Sequence, residues 1–259
     1  MSVDGCQVIH APAHWRAVDF ISDLHLSRQT PLTFDAWSRH MTTTTADAVW
    51  ILGDLFEVWV GDDAALGVPD SFEDACAQVL QHASQRLSVA FLPGNRDFLV
   101  GDALLDACGV RRLSDPSVLQ GFGRSVMVSH GDAWCLQDVD YLAFRTQVRS
   151  PAWQQAFLAQ SLHERHAAAR QMREASEARK AGLPDPSLWA DVDPEEASRW
   201  MRRHGATELV HGHTHRPGSQ AWAAGLQRHV LSDWDLEAKV PRAEVLRLTQ
   251  EGWQRIPPP

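Results

Sequence analysis

The sequence predicts an α/β layered fold carrying a helical insertion, and three observations predict it. Short β-rich runs alternate with longer segments of helical spacing. Most of the short runs stop at a small cluster containing Gly, Asp, Asn or His. One stretch, residues 138–190, has no strand candidates at all.

The strands come first. Residues 17–22 (AVDFIS), 48–52 (AVWIL) and 88–92 (SVAFL) are apolar runs of strand length, each ending at Gly or Asp. Between them, residues 34–41 and 72–86 place apolar side chains at helical spacing. Residues 125–129 form a further strand ending at His130, and residues 208–210 another ending at His211. From Gln220 to about Arg255, apolar and polar positions alternate around turn residues, which suggests additional strands. Residues 138–183 are nearly continuous helix former, interrupted at Ser150-Pro151 and ended by Gly182-Leu183-Pro184. The expected division is a core of residues 1–137 and 191–259 with a helical cap at 138–190.

Composition excludes several classes. With 259 residues, 44% apolar and 22% charged, the chain can bury a large core without disulfides or a structural metal. Its net charge of −9 argues against general affinity for nucleic acid, though bound cations can still draw an anionic substrate. The four cysteines (Cys6, Cys76, Cys108, Cys135) are scattered and form no CxxC pair, as expected of buried thiols in a reducing compartment. Residues 1–16 lack the apolar core of a signal peptide, and no apolar run is long enough to span a bilayer. No obligate protein partner is evident.

Five clusters follow the strands: Asp23-Leu24-His25, Gly53-Asp54, Gly94-Asn95-Arg96-Asp97, His130-Gly131-Asp132 and His211-Gly212-His213-Thr214-His215. In an open α/β sheet, ligands belong at the carboxyl ends of strands. Side chains two apart on extended chain point the same way, so Asp-x-His and His-x-His can serve one metal pair. Glycine permits the sharp turns and close approaches between them. The mixture of carboxylate, imidazole and amide suits Mn²⁺, Fe²⁺ or Zn²⁺, and no cysteine belongs to any cluster. Singly, each cluster is ordinary, since a His at a strand end or a Gly-Asp turn is commonly structural. Their number and order are not.

The series DxH, GD, GN, H, GHxH over residues 18–235 resembles the calcineurin-like metallophosphoesterase superfamily. That resemblance implies a β-sandwich flanked by helices and two metal ions bridged by Asp54. It implies Asp23, His25 and His213 at one ion and Asn95, His130 and His211 at the other. Generic members carry His where this chain has Arg96. Arginine cannot act as a general acid, but its planar fork suits phosphate, so the departure points to a pyrophosphate with a good leaving group.

Residues 51–59 (ILGDLFEVW), 61–63 (GDD), 94–99 (GNRDFL) and 211–217 (HGHTHRP) resemble the UDP-2,3-diacylglucosamine pyrophosphohydrolase family of lipid A biosynthesis. The likeness implies a metal-dependent hydrolase with two Mn²⁺ ions, in which activated water attacks the α-phosphate to give UMP and 2,3-diacylglucosamine 1-phosphate. It implies Asp54, Asn95, Arg96, His130 and His211 as catalytic residues. Substrate contacts would come from Asn95, Arg96, Asp138, Tyr141, Arg173, Ser176, Lys180 and His211. Two positions depart from the family's cap, since its Asn and Lys contacts fall on Lys180 and Leu183. The family works at the cytoplasmic face of the inner membrane. An apolar stripe at Trp153, Phe157, Leu158 and Leu162, followed by Arg165, Arg170, Arg173, Arg179 and Lys180, could shield acyl chains and rest on anionic lipid. The same stripe could instead pack the cap on the core. Asp97, Asp132 and His215 are expected to orient ligands, and Glu57, Asp62 and Asp63 to be solvated turn acids. A nucleotide or protein phosphate would use the same metal core without an acyl pocket, and a non-catalytic scaffold would lack some ligands.

Overall fold

The computed structural model describes residues 5–181 and 190–258, the side chains of 175–181 excepted. The strands are β1 (Gln7–His10), β2 (Ala17–Ile21), β3 (Ala48–Leu52), β4 (Ser88–Leu92), β5 (Arg111–Arg112) and β6 (Ser117–Gly121). They continue with β7 (Arg124–Ser129), β8 (Glu208–His211), β9 (Gly218–Ala221), β10 (Gln227–Val230), β11 (Val245–Thr249) and β12 (Gly252–Ile256). The helices are α1 (Pro31–Thr43), α2 (Asp63–Leu66), α3 (Phe72–Ser84), α4 (Asp102–Cys108), α5 (Val139–Val148), α6 (Pro151–Leu158), α7 (Leu162–Ala181) and α8 (Pro194–Arg203).

Two six-stranded sheets result, in the orders β12-β11-β2-β3-β4-β5 and β1-β6-β7-β8-β10-β9. Strands β2, β3 and β4 are mutually parallel, as are β7, β8 and β10, so their carboxyl ends gather at one edge. The two-residue period of a strand decides the layers. Val18, Phe20, Ala48, Trp50 and Leu52 meet Val126, Val128 and Val210 between the sheets. Their neighbours Ile21, Val49 and Ile51 face outward onto Trp37, Met41 and Leu80 of the helices. Across the other sheet, Val118, Met127 and Leu209 pack on Ala197 and Met201 of α8. The result is the helix-flanked β-sandwich that the sequence predicts.

Helix starts follow local chemistry. Ser71 accepts from the amide of Asp74 to begin α3, and Asp193 accepts from that of Glu196 to begin α8. Between Val139 and Ala181 the helices break twice. Ser150 caps α6, as expected at Ser150-Pro151. The second break comes at Ser161, which with Glu164 forms a reciprocal capping box.

Candidate active site

Each predicted ligand-bearing cluster lies at the edge where the parallel strands end. Asp23 and His25 follow β2, Asp54 follows β3, Asn95 follows β4, and His130 follows β7. Five of these non-glycine residues have left-handed backbone: Asp23 (φ 55°), His25 (49°), Asp54 (53°), His213 (65°) and His215 (51°). Such strain costs on the order of 1–3 kcal/mol per residue and concentrates at functional sites. The packing is also very close: a Cβ on Gly94 would lie 2.2 Å from Asp54 Oδ1, and one on Gly212 2.3 Å from Asp23 Oδ2. Only glycine fits at either position.

Asp54 sits centrally. Its Oδ2 is 3.9 Å from Nε2 of His25 and 3.6 Å from Nε2 of His130, while Oδ1 accepts from the Arg96 amide at 2.8 Å. Asn95 Oδ1 lies 2.9 Å from His130 Nε2 and 2.8 Å from His213 Nδ1. Asp23 Oδ1 is 3.3 Å from His215 Nε2, which is 3.5 Å from His25 Nε2. Donor atoms of Asp23, His25 and His215, and of Asp23, Asp54 and His130, each fall within 4.8 Å of one another. Nitrogen and oxygen donors converging in two overlapping groups that share the Asp23 carboxylate, with Asp54 between His25 and His130, fit a pair of borderline divalent ions.

The histidine-rich loop departs from expectation. His213 meets Asn95 and His130, where His211 was expected, and His215 meets Asp23 and His25, where His213 was expected. The physical reason is that β8 runs through His211, pairing it with Ser129 and Val230 and holding its side chain in the sheet. There its Nδ1 donates to the carbonyl of Gly212 at 2.8 Å, and its Nε2 accepts from Arg228 at 2.9 Å. Arg228 is itself tied to Asp191. Burial and the Arg228 charge push His211 down to about 3, so the ring is neutral with its lone pair on Nε2.

The electrostatics are those of a buried acidic cluster. His130 loses charge stability through burial, but Asp54, Asp23 and Asp132 outweigh that and carry its pKa up to about 9. Its Nδ1 donates to the Leu52 carbonyl at 2.9 Å, which aims Nε2 at Asn95 and Asp54. Burial and the Asp54 charge push Asp97 up to about 7. Burial opposes charge on Asp23, yet the His215 hydrogen bond holds it well below the usual carboxylate range. A cation would relieve this concentration of negative charge.

Asp97 and Asp132 orient neighbours, as expected. Asp97 accepts from the amides of Gly94 (2.8 Å) and Leu55 (2.7 Å), joining two ligand loops. Buried Asp132 accepts from Arg145 at 2.8 Å and from the Tyr141 hydroxyl, tying α5 to the His130 loop. The Tyr141 ring stacks on His213, centroids 6.1 Å apart. Asp138 caps α5 through the Tyr141 amide, so the two residues do share a turn.

Beside this cluster lies a cavity of about 340 Å³ between the ligand loops and α5–α7. Phe98, Leu99, Phe144, Trp153, Phe157 and Met172 give it an apolar wall. Asn95, Arg96, Asp138, Tyr141, Arg173 and His213 border it on the polar side. The predicted contacts Asn95, Arg96, Asp138, Tyr141 and Arg173 are thus brought together. His211 is absent from the lining, and Ser176 and Lys180 lie outside the described side chains.

The match over residues 17–217 is to the calcineurin-like phosphoesterases. The chain belongs to that family. Two curated relatives, both called UDP-2,3-diacylglucosamine hydrolase, agree with the finer resemblance. The one from Stenotrophomonas maltophilia is 41% identical, over 90% of this chain and 95% of its own. The one from Xanthomonas axonopodis pv. citri is 42% identical, over 87% and 94%. Among solved structures, Vps29 from Entamoeba histolytica with Zn²⁺ overlays loosely, with a TM-score of 0.45 at 13% identity over 93% of this chain and 98% of that one.

Around the shared phosphoesterase centre, several sequence expectations need correction. Glu57 is no solvated turn acid: its carboxylate contacts His25, Arg96 and Arg173. Asp62 accepts from Trp59 Nε1 and from the Gly101 and Leu104 amides, which fastens α4. Asp63 pairs with Arg165, which is buried and so cannot belong to a lipid-facing basic surface. Of the apolar stripe, Trp153 and Phe157 line the cavity, Leu162 packs on the core, and Leu158 is exposed. Arg149, whose Nη2 donates to the Gly94 carbonyl at 2.8 Å, was not singled out from sequence. An isolated arginine in a helix-forming run carries no signal of its partner.

Proposed function

We propose that this phosphoesterase hydrolyses the pyrophosphate bond of UDP-2,3-diacylglucosamine, giving UMP and 2,3-diacylglucosamine 1-phosphate in lipid A biosynthesis. The observation that carries the reading is the apolar cavity opening directly onto the ligand cluster. Each methylene buried there contributes about 0.8 kcal/mol, so acyl chains are a natural occupant. A nucleotide or a phosphoprotein would leave that wall unused. The names of the relatives point to the same substrate.

In this reading Asp23, His25, Asp54, Asn95, His130, His213 and His215 would hold two Mn²⁺ ions, with Asp54 placed between His25 and His130. His211, held in β8 and bonded to Arg228, stands outside that set. Bound there, the ion pair supplies an activated water and neutralises charge on the phosphoryl oxygens. The chain's own residues do the rest. Arg96 grips the phosphate, its backbone fixed by the Asp54 carboxylate. Asn95 sits between His130 and His213 at the reacting end, and Tyr141 stacks over His213. Asp138 and Arg173 face the sugar and phosphate portions, with Ser176 and Lys180 further along α7. Residues 138–190 act as a cap on a core of 1–137 and 191–259.

No helix among the described residues is long and apolar enough to cross a membrane. The proposed location is peripheral, at the cytoplasmic face of the inner membrane, where the acylated substrate resides.

Incubating the protein with UDP-2,3-diacylglucosamine and Mn²⁺, with and without EDTA, tests this reading. EDTA-sensitive release of UMP and 2,3-diacylglucosamine 1-phosphate is expected. Metal-dependent cleavage of a generic phosphodiester with the lipid untouched would overturn the substrate and keep the metal core.

A further inference from the structure

Glu57 joins two parts of the molecule that the mechanism treats separately. Its backbone amide donates to the carbonyl of Leu26 at 3.1 Å, and a bridge pairs Leu26 with Phe56. The side chain therefore starts beside the Asp23–His25 loop. Its Oε2 lies 2.8 Å from His25 Nδ1, a close ion-pair contact bent away from a straight hydrogen bond. The other nitrogen of that ring, Nε2, faces Asp54. Oε1 of the same carboxylate is 2.7 Å from Arg173 of α7 and 3.6 Å from Arg96. The group is only 14% exposed and borders the cavity.

We infer that Glu57 is a positioning residue with two functions, orienting His25 toward the metal pair and gathering Arg96 and Arg173 at the cavity for an anionic diphosphate. The inference rests on the function proposed above.

The first function follows from how imidazole ligands work. A carboxylate on one ring nitrogen fixes the tautomer, leaves the lone pair on the other and raises its basicity. Only Nε2 of His25 points at the cluster, and Glu57 occupies the opposite nitrogen.

The second follows from charge. Two guanidiniums placed side by side for a diphosphate repel one another when the site is empty, and they come from different elements, the β4 loop and α7. A single carboxylate between them offsets that repulsion and holds α7 against the core. An incoming diphosphate, with more negative charge and more acceptor oxygens, displaces it from the arginines while the His25 contact persists. Aspartate is one methylene shorter and would not span the distance from His25 to Arg173.

The test separates the two functions by two readouts, Mn²⁺ affinity measured calorimetrically and steady-state kinetics on the diacylated UDP-sugar. Glu57→Ala should raise the Mn²⁺ dissociation constant roughly 10- to 100-fold. Glu57→Gln keeps an acceptor for Nδ1–H but loses the charge. It should hold Mn²⁺ within about threefold of wild type while raising KM about tenfold with kcat nearly unchanged. Arg173→Met should raise KM similarly with unaltered Mn²⁺ affinity. The double variant Glu57→Gln/Arg173→Met should then have a KM no higher than either single variant, because both changes remove one contact.

If Glu57→Ala binds Mn²⁺ as tightly as wild type, the orienting function is overturned. If the two KM effects multiply in the double variant, the gathering function is overturned. Should Glu57→Ala not fold, Glu57→Gln and the double variant still decide the second function, and folded Glu57→Leu, which fills the space without an acceptor, decides the first by the same Mn²⁺ measurement. A wild-type protein that binds no Mn²⁺ overturns the metal reading itself, an outcome distinguishable from wild-type binding that Glu57→Ala leaves unchanged.

Discussion

The ligand loops and the inserted helices are built on opposite principles. At the strand ends, short motifs hold strained backbone against itself: five left-handed non-glycine residues and glycines with no room for a Cβ. The helices α5–α7 have ordinary backbone and caps, and long side chains fasten them to the core. Arg145 and Tyr141 reach Asp132, Arg149 reaches the Gly94 carbonyl, Arg165 reaches Asp63 and the Val60 carbonyl, and Arg173 reaches Glu57. The loops fix where chemistry occurs. The helices close an apolar chamber beside it, through contacts with partners distant in sequence.

The sharpest way to break the comparison is at Asp54, the carboxylate lying between His25 and His130. Asp54→Ala should bring hydrolysis below detection and lower the Mn²⁺ stoichiometry, with α5–α7 still docked by limited proteolysis. A variant keeping most of its rate would remove Asp54 from its central place.

Next in size is the ranking of two histidines. His215→Ala should raise the Mn²⁺ dissociation constant more than about 100-fold, and His211→Ala about tenfold, the size typical of a residue behind the ligands. The reverse ranking would put His211 in the ligand set and contradict the 3.3 Å approach of His215 to Asp23.

These histidines mark where the sequence stops being legible. Five clusters in order disclosed the metal centre, because each motif joins donor chemistry to a turn that follows a strand. They did not disclose which histidine of His211, His213 and His215 turns inward, since that depends on how far β8 extends and on Arg228 across the sheet. Glu57 was read as a surface acid because its value depends on Leu26, some thirty positions earlier, lying next to Phe56. Arg165 looked like part of a basic face because helical spacing gives direction but not partner. The capping box Ser161–Glu164, in contrast, was written plainly in the S-x-x-E pattern and passed over.

A smaller effect tests the fastening of the helices. Arg165 is buried, and its Nη1 donates to Val60 O at 2.6 Å and to Asp63 Oδ1 at 2.8 Å. Asp63 is half exposed and regains water when abandoned, so Arg165→Ala should cost about 1–3 kcal/mol rather than the full penalty of a stranded buried charge. That lowers Tm by roughly 2–10 °C. Faster proteolysis within α5–α7 should accompany it, with Mn²⁺ affinity unchanged. Loss of metal affinity would mean that helices and loops are not separable.

The last effect, absent at neutral pH and growing as pH falls, concerns the frame under both regions. His40 on α1 is buried against Trp234, and burial, helped by Arg247 and Arg86, pushes it down to about 4. The unfolded chain binds a proton near pH 6.5 where the folded one does not, so this stability is present above that pH and lost as pH falls toward 4. The full shift from 6.5 to about 4 corresponds to roughly 3 kcal/mol. His40→Gln should therefore flatten the decline of Tm between pH 6.5 and 4.5. An identical decline in the variant would remove His40 as its source.

The division of labour is tested most directly by comparing kcat/KM for UDP-2,3-diacylglucosamine with that for the same UDP-sugar lacking both acyl chains, at saturating Mn²⁺. The acylated substrate should be preferred by about 10²-fold or more, since even a few buried methylenes at about 0.8 kcal/mol each suffice. Trp153→Ala should reduce that preference while leaving the rate on the deacylated compound unchanged. Equal kcat/KM for the two substrates in the wild-type protein would contradict the account, leaving the metal centre without the chamber that is meant to serve it.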